Sequence, residues 1–285
     1  MKELTGTLYI VSTPIGNLED ITLRALRVLK DVALIAAEDT RHTRKLLSAY
    51  DIHTPLTSYF DHNEAQKSGV LLQKLFNGES IALVSDAGTP GISDPGHGII
   101  RAAIAAQVPV VPIPGPSAIL SALTISGLPM EHFIFIGFLT NKRRARIKQL
   151  EEFRQERTTL VCYVSPHHFL NTLADIRERL GNRRIVAARE LTKKFEEVVR
   201  GHVDDVLEHF SHKPSIKGEF TLVIAGAEKP ENVAVDSETI AAEVQKSMTE
   251  RGLSRKDAVR QVAAAFGLPK NRVYQESLKF LTQKG

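Results

Sequence analysis

The fold of this chain is decided at residues 84–96, which read Val-Ser-Asp-Ala-Gly-Thr-Pro-Gly-Ile-Ser-Asp-Pro-Gly. This stretch follows an apolar strand pattern at residues 80–83 and precedes a helical pattern from Ile99 to Ala106. Its three glycines and two prolines predict a fixed, tight path, because glycine accepts positive φ and proline fixes φ. Ligands of open α/β sheets bind at the carboxyl ends of the strands. The stretch therefore predicts an α/β fold with a ligand-binding loop, and a rigid turn without function is the alternative.

The spacing of the glycines narrows the kind of ligand. The stretch lacks the G-x-G-x-x-G spacing of dinucleotide-binding loops and the G-K-[ST] ending of phosphate-binding loops. We therefore expect this loop to hold something other than a phosphate.

Composition sets the class of protein. With 285 residues, 42% hydrophobic and 25% charged, the chain is typical of a globular protein and predicts two domains. Its one cysteine, Cys162, lies in an apolar run, which predicts a buried side chain and excludes a disulfide framework. Neither a signal peptide nor a membrane span is apparent, so the sequence predicts a cytoplasmic protein without a membrane partner. The formal net charge of +4 is compatible with a polyanionic partner.

Strand patterns alternate with helical patterns through the first half of the chain, which predicts a mostly parallel sheet. Polar loops follow the strands at residues 13–17 and 38–41, and Asp20 is predicted to cap the first helix. Ser117 is predicted to cap a helix over residues 118–126, whose free N–H groups suit a carboxylate or a ribose hydroxyl. We place a domain boundary here, which gives an N-terminal α/β domain at 1–115 and a C-terminal α/β domain at 116–230.

Two basic regions lie in the second half. Residues 141–148 form the densest basic run and open a helix predicted to reach about residue 157, either as a solvated face or as a phosphate-binding surface. Residues 235–285 read as three helices, with Ser254 and Asp257 as a helix start, in a helix-turn-helix-like extension. A purely structural three-helix cap is the alternative. The adjacent histidines His167 and His168 do not have metal-ligand spacing, and no metal site is predicted.

Five strand-end motifs together resemble the ribosomal RNA small subunit methyltransferase I group of the tetrapyrrole methylase superfamily. They are STPIGNL (12–18), AEDTR (37–41), SDAGTPGISDPG (85–96), PGPSA (114–118) and RELTK (189–193). The resemblance spans residues 5–226. It implies a two-domain α/β tetrapyrrole methylase-like fold with S-adenosyl-L-methionine between the domains. It also implies a cytoplasmic homodimer that methylates the 2'-hydroxyl of a cytidine in 16S ribosomal RNA of the 30S subunit.

The resemblance also assigns residues to the cofactor. The implied cofactor contacts are Pro14, Ala87, Gly88, Thr89, Ile92, Ser117, Ala118 and Val164. The chain departs from the group's usual pattern at Thr140, Val164 and His168.

Methylation of a hydroxyl benefits from a base or a nearby cation. The candidate catalytic residues at strand ends are Asp39, Arg41, Glu190 and Lys193. Two other functions remain open, namely methylation of a tetrapyrrole, which requires an apolar trough, and a nucleic-acid-binding regulator without catalysis. For RNA, we expect one positively charged surface around the cleft. It would comprise Arg143, Arg144, Arg146, Arg255, Lys256, Lys270 and Arg272.

Overall fold

The computed structural model describes residues 5–228 and 236–282. The described residues up to Ala227 form one compact unit that contains two five-stranded sheets, and those after it form a second, helical unit. The boundary proposed near residue 115 lies inside the first unit and stays a prediction. Residues 229–235, where the C-terminal α/β domain is predicted to end and the helical extension to begin, lie outside the described residues.

The first sheet is parallel throughout. Its strands are β1 (Leu8–Val11), β2 (Leu34–Ala37), β3 (Leu56–Ser58), β4 (Ile81–Val84) and β5 (Val110–Ile113). They lie in the order β3-β2-β4-β1-β5, and every neighbouring pair is parallel. The mostly parallel sheet predicted from strand–helix alternation is confirmed. The carboxyl ends of its strands therefore share one edge.

Helices cover both faces of this sheet. They are α1 (Leu23–Asp31), α2 (Thr40–Ala49), α3 (Glu64–Phe76) and α4 (His97–Ala105). One apolar cluster includes α1 and α2, and another includes α3 and α4, so strands such as β4 are buried along their length. The prediction that Asp20 caps α1 is wrong. Asp20 ends a short 3-10 helix (Leu18–Asp20), and the Thr22 hydroxyl accepts the hydrogen bond from the N–H of Ala25 instead.

The second sheet is mixed. Its strands are β6 (Phe133–Phe138), β7 (Thr159–Val164), β8 (Arg184–Arg189), β9 (Glu197–His202) and β10 (Phe220–Ile224). The order is β6-β7-β10-β8-β9, and only β6 and β7 are parallel. On one face it packs against α7 (Phe169–Leu180) and α8 (Val203–Ser211), with Phe169 stacked on Phe220 at 3.9 Å between ring centroids. Cys162 lies in this core, fully buried as predicted.

The other face of the second sheet packs against α5 (Ala118–Thr124) and the loop that follows β1. Ile15 from that loop and Ile119 from α5 join Val161, Val186 and Val223 in one cluster. A loop of the first sheet therefore contacts the second sheet, and this arrangement forms the site described below.

The helical unit consists of α9 (Ser237–Arg251), α10 (Arg255–Phe266) and α11 (Lys270–Thr282), packed around its own apolar core. The predicted cap at Ser254 is confirmed, since its hydroxyl lies 3.2 Å from the N–H nitrogen of Asp257. Gly252 and Gly267 end α9 and α10 in the left-handed conformation, with φ of 62° and 63°. No helix within the described residues is both long enough and apolar enough to cross a membrane.

Candidate active site

Two loops at the carboxyl edge of the first sheet are tied together. The Thr13 N–H donates to the Gly88 carbonyl at 2.8 Å, and the Gly88 N–H donates to the Thr13 carbonyl at 3.0 Å. The hydroxyls of Ser12 and Thr89 lie 2.8 Å apart, and the Thr13 hydroxyl donates to the Ser85 carbonyl at 3.1 Å. Because β1 and β4 are neighbours, their loops emerge side by side and can pair in this way. The fixed path predicted from the glycines and prolines is confirmed.

Glycine is required at two points of the loop after β4. Gly88 has φ of 77°, which allows its backbone to pair with the loop after β1. Gly96 has φ of 144°, and a Cβ there would lie 3.0 Å from Leu83 Cδ2. The chain consequently folds back closely on β4 before α4 begins, and it leaves bare backbone at Gly88.

A cavity of about 640 Å³ opens beside these loops. Its walls come from the loops after β1, β2 and β4, from α5, and from β6, β7, β8 and β10 of the second sheet. The side chains lining it include Ile15, Glu38, Asp86, Ala87, Thr89, Ile92, Asp94, Ser117, Ala118, Phe133, Phe135, Phe138, Tyr163, Val164, Leu191 and Glu219. The volume falls within the range of small-molecule sites.

The structure brings seven of the eight expected cofactor residues to this cavity. They are Ala87, Gly88, Thr89, Ile92, Ser117, Ala118 and Val164. The eighth, Pro14, is not among the lining residues, although the next residue, Ile15, is. Ser117 caps α5 as predicted, with its hydroxyl oxygen 3.4 Å from the N–H nitrogen of Leu120.

The expected pair Asp39 and Arg41 lies outside the lining of this cavity. Asp39 caps α2, and its carboxylate also accepts two hydrogen bonds from the Arg41 guanidinium at 3.1 and 2.8 Å. These bonds lower the pKa of Asp39 to about 2. The Arg41 side chain is 85% exposed, so this pair faces solvent.

The pair Glu190 and Lys193 is likewise outside the lining, but it borders the cavity through its neighbours. The Lys193 ammonium lies 2.9 Å from Glu190 and 3.0 Å from Glu219, and Glu219 and Leu191 line the cavity. Although burial opposes the shift, the hydrogen bond from Lys193 lowers the pKa of Glu190. Glu190 and Thr192 have φ of 50° and 66°. Positive φ values are unfavourable for residues other than glycine, so the backbone of this turn is strained. The ion pairs of Lys193 with Glu190 and Glu219 hold the turn in place, and Leu191 within it lines the cavity.

Besides Glu219, three carboxylates that were not predicted as site residues line the cavity, namely Glu38, Asp86 and Asp94. Burial, and then the charge of Glu38, raise the pKa of Asp94 to about 7, while a hydrogen bond from the Ser85 hydroxyl opposes the shift. Burial also raises the pKa of Glu38. All three lie within or beside the motifs quoted above, so the motifs were the available signal. Within the described part of the chain, no three His, Cys, Asp or Glu residues are arranged to hold a metal ion.

Aromatic rings form the wall that comes from the second sheet. The Tyr163 ring centroid lies 5.1 Å from the centroids of both Phe135 and Phe138. Burial raises the pKa of Tyr163 to about 12, so its hydroxyl stays protonated. This wall offers flat apolar surface to a molecule bound in the cavity.

The three departures from the family pattern have different surroundings. Val164 lines the cavity at the end of β7, and the Thr140 carbonyl accepts a hydrogen bond from Arg146 at 3.0 Å. His168 ends a short 3-10 helix and immediately precedes α7. Among the three, only Val164 is part of the cavity wall.

The basic run provides fewer free charges than its sequence indicates. It forms α6 (Arg143–Glu151), which ends six residues before the predicted end. Assignment of Arg146 to an RNA-contacting surface is wrong, because its side chain is 2% exposed and bonds to Asp175 at 2.6 and 2.8 Å. Arg143 is also paired with Asp175, at 3.0 Å, whereas Arg144 and Lys148 are exposed. The run therefore joins α6 to α7 through ion pairs with Asp175, and it also leaves exposed positive charge at Arg144 and Lys148.

Comparison with known proteins adds family information to this geometry. The model of the family of tetrapyrrole (corrin/porphyrin) methylases matches residues 7–207. A Halalkalibacterium halodurans protein named ribosomal RNA small subunit methyltransferase I is 47% identical over 94% of this chain and 93% of its own length. A Synechocystis protein of the same name is 47% identical over 96% of this chain and 98% of its own length.

Solved structures share the fold of the chain. A diphthine synthase aligns with a TM-score of 0.61 at 13% identity, over 77% of this chain and 90% of its own. A uroporphyrin-III C-methyltransferase from Thermus thermophilus, complexed with S-adenosylhomocysteine, aligns with a TM-score of 0.53 at 19% identity, over 76% of this chain and 97% of its own. At these identities the two structures establish a common fold.

Proposed function

This chain belongs to the tetrapyrrole methylase family, and we propose that it transfers a methyl group from S-adenosylmethionine to the 2'-hydroxyl of a cytidine in 16S ribosomal RNA of the 30S subunit. The observation that carries the proposal is 47% identity, over nearly the whole chain, to proteins named ribosomal RNA small subunit methyltransferase I. The cavity between the two sheets supplies a site of suitable size and chemistry.

The walls of the cavity fit the chemical parts of this cofactor. The aromatic side suits a flat base, the bare backbone at Gly88 allows close approach, and Glu38 and Asp86 complement positive charge. When bound, S-adenosylmethionine supplies a methyl group on a positively charged sulfur that leaves as a neutral thioether. The residues we propose to hold it are Pro14, Ala87, Gly88, Thr89, Ile92, Ser117, Ala118 and Val164.

The protein's contribution to the rate is then mainly positioning. Loops that are hydrogen-bonded to each other hold the reacting groups in line, which removes most of the entropic cost of bringing them together. In this proposal the ion pairs Asp39–Arg41 and Glu190–Lys193 act on catalysis by fixing the loops around the cavity. Neither pair is among the residues that line the cavity.

Exposed cations on α2 support binding of a polyanion. Arg41, Arg44 and Lys45 are exposed on this helix, which begins two residues after Glu38 at the cavity wall. Within the described residues, Arg44 and Lys45 have no acidic partner within 4.0 Å. We propose that α2, together with Arg144 on α6, contacts RNA phosphates, because such contacts position RNA without reading its bases.

The helical unit offers a second set of cations. Lys256, Lys270 and Arg272 are exposed, and Arg255 is half-buried. We propose that this unit also contacts ribosomal RNA. Removal of residues 235–285 should then reduce methylation of the subunit and leave cofactor binding intact.

A homodimer and a cytoplasmic location complete the proposal. Exposed apolar side chains on the α/β unit that lie outside the cavity lining support a protein interface, since Leu23 is 85% exposed and Phe195 is 68% exposed. A ribosomal RNA substrate supports the location. Light scattering on the purified protein tests the dimer directly.

The test supplies purified protein with methyl-labelled S-adenosylmethionine and 30S subunits assembled from unmodified 16S RNA. We expect label in 2'-O-methylcytidine after nuclease digestion. Ala118→Trp fills the cavity and should abolish both cofactor binding and labelling, while Ala105→Trp, on the exposed side of α4, should affect neither. Normal binding of S-adenosylhomocysteine without any labelling of RNA would refute the assignment.

Methylation of a tetrapyrrole is a second candidate, favoured by the aromatic wall of Phe133, Phe135 and Phe138. A parallel reaction with a porphyrin precursor in place of the subunit separates the two activities. Label in the porphyrin and none in RNA would reverse the order of the two proposals. Failure of calorimetry to detect binding of S-adenosylhomocysteine would favour a regulator without catalysis.

A further inference from the structure

Three acidic side chains from two neighbouring strands meet on one wall of the cavity. Glu38 follows β2, while Asp86 and Asp94 lie in the loop after β4. The Asp86 N–H donates to Glu38 at 3.3 Å, and the Asp39 N–H donates to the Asp86 carboxylate at 3.0 Å. Backbone donors therefore hold the Glu38 and Asp86 carboxylates in place on this wall.

We propose that Asp94 is the general base that accepts the proton of the ribose 2'-hydroxyl. This inference rests on the proposed function. Its side chain lines the same cavity as Ala87, Thr89 and Ile92, on the loop that we expect to hold the cofactor. The other carboxylate of that loop, Asp86, is already engaged by the Asp39 N–H at 3.0 Å.

The surroundings of Asp94 give its carboxyl group a pKa suited to this role. Burial is the main cause that raises its pKa to about 7, followed by the charge of Glu38, then by Asp86 and Asp61, while the Ser85 hydroxyl opposes the shift. Tyr163 faces it from β7, and the charge of Asp94 contributes to the raised pKa of that phenol. General bases are most efficient when their pKa lies near the working pH. At neutral pH a large fraction of Asp94 is ionised, and its conjugate acid still releases a proton to water.

The chemical step balances with this single proton acceptor. The 2'-oxygen forms a bond to the methyl carbon while the carbon–sulfur bond breaks, and that bonding pair stays on sulfur. The 2'-proton moves to a carboxylate oxygen of Asp94. A positive sulfonium and a negative carboxylate thus become a neutral thioether and a neutral carboxylic acid, and water later removes the proton.

The acids considered from sequence are less suited to the same step. Asp39 is held by Arg41 with a pKa of about 2, which makes it a weak base. Glu190 bonds to Lys193 at 2.9 Å and lies outside the cavity lining. Both carboxylates are committed to ion pairs, whereas Asp94 faces two other carboxylates.

The kinetic test compares Asp94→Asn with the wild type. We expect kcat for 30S subunits to fall by about 10²–10⁴, the usual contribution of a general base, with S-adenosylhomocysteine affinity changed less than about threefold. The wild-type log kcat should rise with unit slope up to about pH 7, and this inflection should be absent from the variant. Asp31→Asn is the matched control, because Asp31 is exposed at the end of α1 and outside the lining, and it should retain kcat within about threefold.

Two kinetic outcomes would overturn the proposal. The first is a variant whose kcat stays within tenfold of the wild type or keeps the inflection. The second is loss of cofactor affinity with turnover retained at saturation, which would make Asp94 a partner of the cofactor's positive charge.

A second measurement does not depend on activity. Unfolded aspartate ionises near pH 3.8, but folded Asp94 ionises near pH 7. Between these values the folded state binds the extra proton, so this group lowers stability as pH rises. The melting temperature of Asp94→Asn minus that of the wild type should therefore increase from pH 4 to pH 7 and then level off.

If the difference in melting temperature between the variant and the wild type did not change between pH 4 and pH 7, Asp94 would titrate normally and the inference would be refuted. If the enzyme methylated no RNA, the proposed function would fail. The unfolding experiment would still report whether Asp94 is poised near pH 7, so the two failures are distinguishable.

Discussion

Asp175→Asn tests whether the basic run on α6 is structural. Two Arg146 nitrogens bond to Asp175 Oδ2 at 2.8 and 2.6 Å, and the two side chains are 2% and 3% exposed. The amide keeps the shape of the carboxylate but leaves the buried guanidinium without a counter-charge. Breaking a buried pair in this way costs about 3–5 kcal/mol. The Arg143 partner is 66% exposed, so losing its bond adds at most about 1 kcal/mol.

Urea unfolding measures this cost, followed by far-ultraviolet circular dichroism because the chain has no tryptophan. Glu178→Gln is the matched control. It removes the other, exposed partner of Arg143, at 2.9 Å, and should cost less than about 1 kcal/mol. A loss below about 1 kcal/mol for Asp175→Asn, or a loss equal to that of the control, would refute the structural role of Arg146.

Three further outcomes are expected. Gly16→Ala places a Cβ 2.3 Å from the Lys193 side chain, and overpacking of this kind costs about 1–3 kcal/mol. Calorimetry should show that the affinity for S-adenosylhomocysteine falls roughly tenfold. Gly69→Ala is the control, because the space around Gly69 is open, and this variant should bind normally. Burial opposes the shift, but three basic partners lower the pKa of Glu197 to about 2. The wild type should therefore melt above Glu197→Gln at pH 7, and the gap should close as pH falls from about 4.5 to 2; a gap that persists at pH 2 would contradict this. Replacing Arg44 and Lys45 by alanine should flatten the salt dependence of RNA binding by about 0.7 in slope per lost contact, and an unchanged slope would exclude α2 from the phosphate contacts.

The architecture around the cavity was predictable because parallel strands bring their carboxyl ends to one edge. Loops that are far apart in sequence, such as those holding Thr13 and Gly88, follow neighbouring strands and pair directly. The glycine and proline spacing identified the loop that lines the cavity, and Ser117 was readable as a cap because its side chain acts within three residues. Such local chemistry leaves a clear signal in sequence.

The direction in which a side chain points was harder to predict from the sequence than its position in the fold. Glu38 and Asp39 are adjacent at the end of β2, yet only Glu38 lines the cavity, while Asp39 turns away to cap α2. Arg146 stands in a run of exposed cations, and its partner Asp175 lies 29 residues further along the chain. Asp94 was within the quoted motif, but its raised pKa depends on burial and on Glu38, which β2 brings beside it. Each of these properties arises from long-range packing, which spacing alone does not reveal.

The strand order of both sheets has a consequence for folding during synthesis. In each sheet a late strand lies between earlier ones, β4 between β2 and β1, and β10 between β7 and β8. At about 5–20 residues per second, β1 waits roughly 4–14 s for β4 to be made. Until then, only β2 and β3 can pair, and the apolar β1 is a target for chaperones or for other nascent chains. Each sheet is therefore completed only after its central strand, β4 or β10, has been synthesised. A ribosome that paused before Ile81 or Phe220 would carry a nascent chain whose sheet still lacks that strand.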